Sequence, residues 1–210
     1  IGAVALIFMS LMTKMETFPQ VYSPEETFRH SLFQVASLMT TTGFSTTDYQ
    51  LWPTLAKTTL ILVMFIGGMA GSTAGGMKTV TIAVLVCSAV ATVKNKDGAT
   101  VFGRRISEKS IKKAVAVAVS FLVICFLSTL LLMATSSAPA LDIIYETVSA
   151  TATVGLSRNL TSSLDAFGRI IIILTMYFGR VGPISLAVAL GGNRERQNII
   201  VEPTEEIHIG

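Results

Sequence analysis

Uncharged apolar segments of different lengths alternate with short polar stretches along the chain. Residues 114–134 contain no charge, and this length is enough for a helix to cross the ~30 Å hydrocarbon core of a membrane. Residues 58–66 and 79–93 are also uncharged, but at about 1.5 Å per residue each is too short to cross alone. Residues 170–190 are expected to form a second full span, and residues 1–12 the end of another membrane helix. The pattern therefore predicts several membrane helices, one of them interrupted.

The interruption is a glycine-rich segment between the two short apolar runs. It reads FIGGMAGSTAGGMK from Phe65 to Lys78, with five glycines in ten residues. Each glycine weakens a helix by about 1 kcal/mol relative to alanine and permits left-handed backbone. Unwound backbone in a bilayer persists where protein buries it or where it lines a watery cavity. Two half-helices around such a break indicate a permeation pathway, and a helix kinked for packing is the alternative.

Two short helices are predicted outside the full spans. Ser23, Pro24, Glu25 and Glu26 place a cap, a first-turn proline and two acids at a helix start. That helix continues to residue 39 and stops at TTTGFSTTD, residues 40–48. The other is expected over residues 141–152, where TVGLS, residues 153–157, ends it in the same way.

The chain contains an internal repeat at one constant shift, the separation between Thr41 and Thr153. The register holds over roughly 35 positions without a gap and pairs Phe33 with Tyr145, Ser37 with Ser149, Thr41 with Thr153, Gly43 with Gly155, Ser45 with Ser157, Lys57 with Arg169, Met64 with Met176 and Gly67 with Gly179. The unit is a membrane helix, a short re-entrant helix, a Thr-x-Gly segment and a membrane helix. Both copies place the Thr-x-Gly segment outside, so the repeats are expected to be parallel, about an axis along the membrane normal.

Parallel copies can gather extended segments into a ring. Backbone carbonyls in such a ring replace the water shell of a dehydrated cation, and glycine permits the backbone that turns them inward. Two copies make half a ring. The other half is expected from earlier sequence or from a second identical chain, and the start at Ile1 without a methionine suggests part of a longer protein.

Composition and charge agree with a polytopic membrane protein. The 210 residues are 51% hydrophobic and 14% charged, with a mean hydropathy of +0.64. Residues 94–113 carry seven Lys or Arg against Asp97 and Glu108, which makes this loop cytoplasmic by the positive-inside rule. Docking of a regulatory partner or contact with lipid is a further role for the loop. Cys87 and Cys125 are expected to be buried hydrophobes, and the two histidines make no metal-ligand pattern.

Three motifs in order resemble the Trk/Ktr/HKT superfamily of potassium-transporting membrane subunits. They are TTTGFSTTD at residues 40–48, GGMAGSTAGGMK at residues 67–78 and MYFGRVGP at residues 176–183. The last motif is more Ktr-like and the first more Trk-like, so the subfamily stays open. The resemblance implies an all-α integral membrane fold with parallel repeats and a potassium-channel-like pore. The chain would correspond to the third and fourth of four repeats, with residues 1–93 as repeat three, 94–113 as a cytoplasmic loop, 114–191 as repeat four and 192–210 as a cytoplasmic tail.

The resemblance also implies residue roles. The selectivity filter would consist of Thr41, Thr42, Gly43, Phe44, Thr153, Val154, Gly155 and Leu156, with potassium held at Thr41, Thr42, Thr153 and Val154. The gate would consist of Gly67, Gly68, Ala70, Gly71, Ser72, Thr73, Ala74, Gly75, Gly76, Lys78 and Arg180. The threonines near Gly43 could instead only cap the preceding helix. Arg180, placed mid-span, would face the pore as a barrier to cations, the alternative being a salt bridge between helices.

The implied ligand is the transported potassium ion, with sodium as a second candidate and no organic cofactor in this chain. The implied partners are the lipid bilayer of the plasma membrane, a second copy of the full subunit and a cytosolic nucleotide-binding regulatory subunit of the RCK type. No nucleic acid is expected. Residues 71–78 end in lysine after glycines but lack the Gly-Lys-Ser/Thr spacing of a phosphate-binding loop.

Several alternatives remain from the residues alone. Lys78 could pair with an acid or a carbonyl, or snorkel to the interface. Glu146, which aligns with Gln34, could hold the filter from behind or attract cations at the vestibule. The leading function is potassium uptake driven by the membrane potential, and the alternative is a coupled secondary transporter with a broken-helix substrate site. An enzyme is not expected, because neither histidine nor any aspartate lies in a predicted span.

Overall fold

The computed structural model describes residues 1–13, 23–95, 98–101 and 103–182, and its regular structure is almost entirely helical. The helices are α1 (Gly2–Thr13), α2 (Pro24–Met39), α3 (Thr54–Phe65), α4 (Thr79–Val93), α5 (Glu108–Thr135), α6 (Ala140–Thr151), α7 (Leu160–Ser163) and α8 (Ala166–Val181), with a 3-10 turn at Tyr49–Leu51. Two-residue strands form two small pairs. Strands β1 (Ile66–Gly67) and β2 (Met77–Lys78) pair in parallel, and β3 (Thr100–Val101) and β4 (Arg104–Arg105) pair antiparallel. The predicted all-α class is confirmed.

Helix α2 begins where the sequence predicts. The Ser23 hydroxyl accepts a hydrogen bond from the Glu26 amide at 3.2 Å, and the Glu26 carboxylate accepts one from the Ser23 amide at 2.9 Å. This reciprocal capping box satisfies two donors that the helix itself leaves unpaired. The hydrogen bond from the Ser23 amide is the main cause that lowers the pKa of Glu26. Pro24 fills the first helical position, where its missing N–H costs nothing.

The two halves of the chain follow the predicted repeat register. Helices α2 and α6 end at Met39 and Thr151, and α3 and α8 begin at Thr54 and Ala166. Both pairs are equivalent positions in the register that aligns Thr41 with Thr153. Helix α1 packs against α2 and α3, as α5 packs against α6 and α8. The halves thus share one arrangement of helices.

A side-chain contact also repeats between the halves. Lys57 Nζ donates to the Gln50 carbonyl at 3.2 Å, and Arg169 Nη2 donates to the Ser162 carbonyl at 3.1 Å. Lys57 and Arg169 are paired by the register, and so are Gln50 and Ser162. Each contact joins the first turns of α3 or α8 to the short helical turn before it, Tyr49–Leu51 or α7.

The largest core cluster lies where the halves meet, since it draws on α1, α2, α3, α5 and α6. Trp52, Leu60, Met64 and Tyr145 are among its fully buried side chains. Many large apolar residues on the outer helix faces are instead exposed, including on α5 Val119, Leu122, Val123, Phe126, Leu127, Leu130 and Leu131. An apolar outer face of this kind suits contact with lipid rather than water.

Among the described residues, one helix is long and apolar enough to cross a membrane by length and composition. It is Glu108–Thr135, which contains the span predicted over residues 114–134. Gly2–Thr13, Thr54–Phe65 and Thr79–Val93 are apolar but shorter. The second and third of these are the half-helices predicted around the glycine-rich break, so the interruption is confirmed.

One predicted span lies only partly within the described residues. The sequence predicts a span over residues 170–190; its described part belongs to α8, which begins at Ala166 and ends at Val181, where Gly182 caps it with a φ of +80°. Left-handed backbone of this kind is typical after the last turn of a helix. Arg180 therefore lies in the last turn of α8. Residues 183–190, the tail from 192 to 210 and the loop around Pro19 lie outside the described residues.

Candidate functional site

The two Thr-x-Gly segments leave their short helices with the same backbone conformation. Thr41 and Thr153 both have a φ of +53°, and Gly43 and Gly155 follow at +71° and +87°. Because threonine is β-branched, a positive φ is strained and persists only when surrounding contacts enforce it. Such strain tends to occur at functional sites.

The last turn of each short helix supplies those contacts. The Thr42 amide donates to the Ser37 carbonyl at 3.0 Å, and the Val154 amide donates to the Ser149 carbonyl at 2.9 Å. One residue earlier, the amides of the two strained threonines donate to carbonyls of α2 and α6, each at 3.1 Å. The carbonyls at a helix C-terminus otherwise lack partners, so these bonds hold both segments in one geometry.

The two segments lie side by side. A Cβ added to Gly43 would stand 2.5 Å from the Val154 carbonyl oxygen, which is closer than real Cβ contacts allow. Gly43 therefore gives the carbonyl of the neighbouring segment room to approach. Phe44 and Thr42 are exposed, whereas Val154 and Leu156 are buried. The sequence-predicted filter residues of both repeats are thus brought together.

The glycine-rich loop reaches the start of both segments. The Gly75 amide donates to Thr41 Oγ1 at 3.0 Å. A Cβ on Gly75 would overlap Thr153 Oγ1 and stand 2.5 Å from the Ala152 carbonyl oxygen. Gly75 is therefore wedged between the ends of the segments nearest their short helices. The parallel pairing of Ile66 with Met77 and of Gly67 with Lys78 closes the neck of this loop.

Two positively charged side chains, those of Arg180 and Lys78, donate hydrogen bonds to three consecutive carbonyls of the loop. Arg180 Nη1 donates to the Thr73 carbonyl at 2.5 Å. Lys78 Nζ donates to the Ser72 carbonyl at 3.3 Å and also to the Ala74 carbonyl. Lys78 therefore pairs with carbonyls and does not snorkel. A cavity of about 370 Å³ lies between the loop, α5 and α8. The Lys78 and Arg180 side chains line it together with Gly75, Gly76 and Gly179.

The rest of the predicted gate lies in the same loop. Gly68 stays small because an added Cβ would stand 2.6 Å from Ala74 Cβ and 2.7 Å from Ser72 Oγ. Ala70 and Gly71 lie at the exposed turn of the loop. Gly71 and Gly76 take positive φ values of 86° and 69°.

Glu146 lies behind the second segment. The residue is 5% exposed; its Oε2 accepts a hydrogen bond from Ser157 Oγ at 2.8 Å, and its Oε1 accepts one from Thr161 Oγ1. The arrangement matches the first of the two roles left open by the sequence, in which Glu146 holds the segment from behind. Sequence reasoning did not identify Ser157 and Thr161 as partners, because nothing in their spacing points to a carboxylate in the preceding helix.

Two further contacts around the second segment were not predicted. Arg158 forms a 2.6 Å ion pair with Asp142 at the start of α6. Tyr49 stacks on Tyr145 with ring centroids 5.8 Å apart, and its hydroxyl donates to the Ser157 carbonyl at 2.7 Å. An opposite charge at the far end of a helix and an aromatic pair across the repeats leave no local pattern in the sequence.

The donor set suits a dehydrated monovalent cation. Over the described ranges, no group of three or more His, Cys, Asp or Glu side chains could hold a metal ion. The available ligands are instead carbonyls and hydroxyls of the paired segments. Thr153 Oγ1 is buried and has no hydrogen-bond partner within the described part of the chain.

Fold and site together define a helical membrane protein with two pore-loop repeats that meet at paired Thr-x-Gly segments, with an interrupted helix folded against them. The family model described as cation transport protein, TrkH, matches residues 2–197. The chain belongs to this family, within the Trk/Ktr superfamily, and the resemblance seen in its motifs is confirmed.

Individual relatives agree with this assignment. The chain is 37% identical over 170 residues to the Ktr system potassium uptake protein B of Bacillus subtilis strain 168, covering 81% of this chain and 38% of that protein. It is 34% identical over 176 residues to the potassium/sodium uptake protein NtpJ of Enterococcus hirae, covering 81% and 39%. The crystal structure of the potassium transporter TrkH from Vibrio parahaemolyticus superposes with a TM-score of 0.77 at 25% identity, covering 90% of this chain and 41% of that chain. The chain thus spans about two-fifths of these relatives.

Proposed function

We propose that this chain supplies two of the filter segments of a pore that takes up potassium ions, driven by the membrane potential. The observation that carries the proposal is the contact between Gly43 and the Val154 carbonyl, made by two segments with the same strained backbone. Potassium would be held at Thr41, Thr42, Thr153 and Val154, with carbonyl oxygens in place of its water shell. The names of the potassium uptake relatives support the same ion.

The loop from Gly67 to Gly76 would act as the gate of this pore. Its wedge at Gly75 fills the space between Thr41 and Thr153, so an ion leaving the filter would meet the loop. Arg180 holds the loop at Thr73 and Lys78 holds it at Ser72 and Ala74. Both positive charges also repel a cation at this point. Conduction would require the loop to leave this position.

The remaining assignments follow from the family and the charge pattern. Residues 1–93 would form repeat three and residues 114–191 repeat four of a plasma-membrane subunit. The loop of residues 94–113 and the tail of residues 192–210 would lie in the cytoplasm, where a nucleotide-binding regulatory subunit could dock. The full membrane subunit would be a homodimer. Sodium is a second candidate ion, since the name of NtpJ includes both ions.

The test is ion flux into liposomes that contain the full-length protein. Uptake of potassium, rubidium and sodium is measured with an imposed membrane potential and, separately, with only a proton or sodium gradient. Uptake that follows the potential and needs no second gradient supports the pore. Uptake that requires a co-transported ion would contradict it and favour the coupled carrier.

A further inference from the structure

The second filter segment is tied to a buried carboxylate that the proposed conduction path does not use. Glu146, in the middle of α6, accepts hydrogen bonds from Ser157 Oγ at 2.8 Å and from Thr161 Oγ1. Ser157 comes two residues after Gly155, so these two hydrogen bonds, called the tie below, lie directly behind the carbonyls of the segment. Hydrogen bonds to a charged acceptor are about twice as strong as neutral ones.

The tie extends to the other repeat. The Ser157 carbonyl accepts a hydrogen bond from the Tyr49 hydroxyl at 2.7 Å, and Tyr49 stacks on Tyr145, the neighbour of Glu146 in α6. Tyr49 itself follows the first filter segment. Ser157 is therefore held through its side chain by one repeat and through its backbone by the other, which fixes the spacing between the two segments.

The first repeat lacks this carboxylate. Gln34 occupies the position equivalent to Glu146, is 1% exposed, and its Nε2 has no hydrogen-bond partner among the described residues. Ser45, which is exposed, is equivalent to Ser157, and Tyr49 is equivalent to Thr161. The first segment is held instead by Ser37 Oγ, which donates to the Phe44 carbonyl at 2.7 Å. The two segments are thus supported by different chemistry.

A cavity behind the second segment gives the segment room to move if the hydrogen bonds to Glu146 are lost. A cavity of about 130 Å³ lies between α6, α8 and the segment, and Glu146, Gly155, Leu156 and Ser157 are among its lining residues. Without the tie, the segment could relax into this space. Discrimination between ions depends on how carbonyl oxygens are held around the ion, so such relaxation would change the choice of ion.

We propose that Glu146 is a positioning residue that, through Ser157 and Thr161, holds the second filter segment in place and thereby sets the preference for potassium over sodium. This inference rests on the proposed pore function. Under this proposal, the segment supported by the Glu146 carboxylate contributes more to the preference for potassium over sodium than the segment beside Gln34 does.

The experiment measures the ratio of potassium to sodium flux in liposomes that contain the full-length protein. Glu146→Gln keeps the shape but removes the charge, and Ser157→Ala removes one donor. Each is expected to lower the ratio about tenfold, the factor that corresponds to the loss of one hydrogen bond to a charged group. The double variant should lower it little further, because both changes break the same tie. Glu25→Gln and Ser163→Ala, at exposed positions, are the matched controls and should leave the ratio unchanged.

A second pair of variants separates positioning from general stability. Thr161→Val removes the hydroxyl and should lower the ratio, whereas Thr161→Ser keeps the hydroxyl and should restore it. Thermal unfolding in detergent shows whether Glu146→Gln folds. If it does not, Ser157→Ala and Thr161→Val test the inference in its place. An unchanged ratio in both Ser157→Ala and Thr161→Val would overturn the inference while a potassium-selective wild type still supports the pore. A wild type without potassium flux would contradict the proposed function itself.

Discussion

Thr41 and Thr153 occupy equivalent positions in the two repeats and share a backbone φ of +53°. Each follows a short helix, and each amide donates to a carbonyl of that helix at 3.1 Å. Both side chains also meet the same residue, Gly75: Thr41 Oγ1 accepts the hydrogen bond from its amide, and Thr153 Oγ1 lies 1.8 Å from the position that a Cβ on Gly75 would take. One loop residue therefore contacts both repeats at equivalent points.

The first prediction concerns the approach of the two segments at Gly43. Gly43→Ala adds a methyl group that collides with the Val154 carbonyl oxygen. It also places an alanine at a positive φ, and this backbone strain alone costs about 1–3 kcal/mol. We expect potassium flux in liposomes to fall at least about tenfold, since a factor of ten corresponds to about 1.4 kcal/mol.

Gly103→Ala is the matched control for Gly43→Ala. Gly103 has a similar φ of +74°, but an added Cβ would meet nothing within 4 Å. It lies in the basic stretch before α5, so flux should stay near the wild-type level. Equal loss in both variants would indicate that backbone strain, and not contact between the segments, explains the effect.

The second prediction concerns the hold of Arg180 on the loop. Arg180→Gln removes the positive charge and weakens the bond to the Thr73 carbonyl. We expect potassium flux to rise about fivefold to tenfold, because a hydrogen bond to a charged group contributes about 1.5–3 kcal/mol and part of this is screened at an exposed side chain. Flux assays at constant membrane potential measure the change.

Arg169→Gln serves as the comparison for Arg180→Gln. It also removes an arginine bond to a carbonyl, that of Ser162, but at the start of α8 and away from the glycine-rich loop. Its flux should not rise. Unchanged flux in Arg180→Gln would remove Arg180 from the gate.

The third prediction concerns the wedge at Gly75. Gly75→Ala cannot fit against Thr153 Oγ1 and the Ala152 carbonyl, so the loop should be displaced from the ends of the two segments. We expect higher potassium flux together with a lower thermal unfolding temperature. Gly71→Ala, in the same loop, adds strain at a φ of +86° but meets open space. Similar flux in both variants would show that the position of Gly75 does not control conduction.

The fourth prediction concerns orientation in the membrane. In a background with Cys87→Ala and Cys125→Ala, Lys109→Cys should react with a membrane-impermeant maleimide only from the cytoplasmic side. Ser162→Cys should react only from the outside. Both positions are exposed, so a failure to react cannot be attributed to burial in the fold. Labelling of both from one side would contradict the positive-inside assignment of residues 94–113.

Much of this architecture could be predicted from the sequence because its signals are local or periodic. The helix start at Ser23, the break after Phe65 and the register of the two repeats all lie where the residues indicate. The end of α8 at Val181 was not predicted. The signal was nevertheless present, since Gly182 followed by Pro183 is a common helix end.

The contacts that support the candidate site could not be predicted in the same way. The wedge at Gly75, the tie from Glu146 to Ser157 and the bond from Arg180 to Thr73 join residues that are 11 to 107 positions apart along the chain. Each depends on how helices pack, and no spacing rule encodes that. The positive φ of two threonines is also hidden, because threonine ordinarily avoids it.

The most direct test of the central claim compares the full-length wild type with Gly155→Ser. Potassium, rubidium and sodium uptake into liposomes is measured at one imposed potential. Gly155 has a φ of +87° and an added Cβ would meet nothing within 4 Å, so the variant should fold while its strained backbone moves the filter carbonyls. We predict potassium-preferring uptake in the wild type and a much smaller preference over sodium in the variant. Absence of cation uptake in the wild type, or an unchanged preference in Gly155→Ser, would contradict the account.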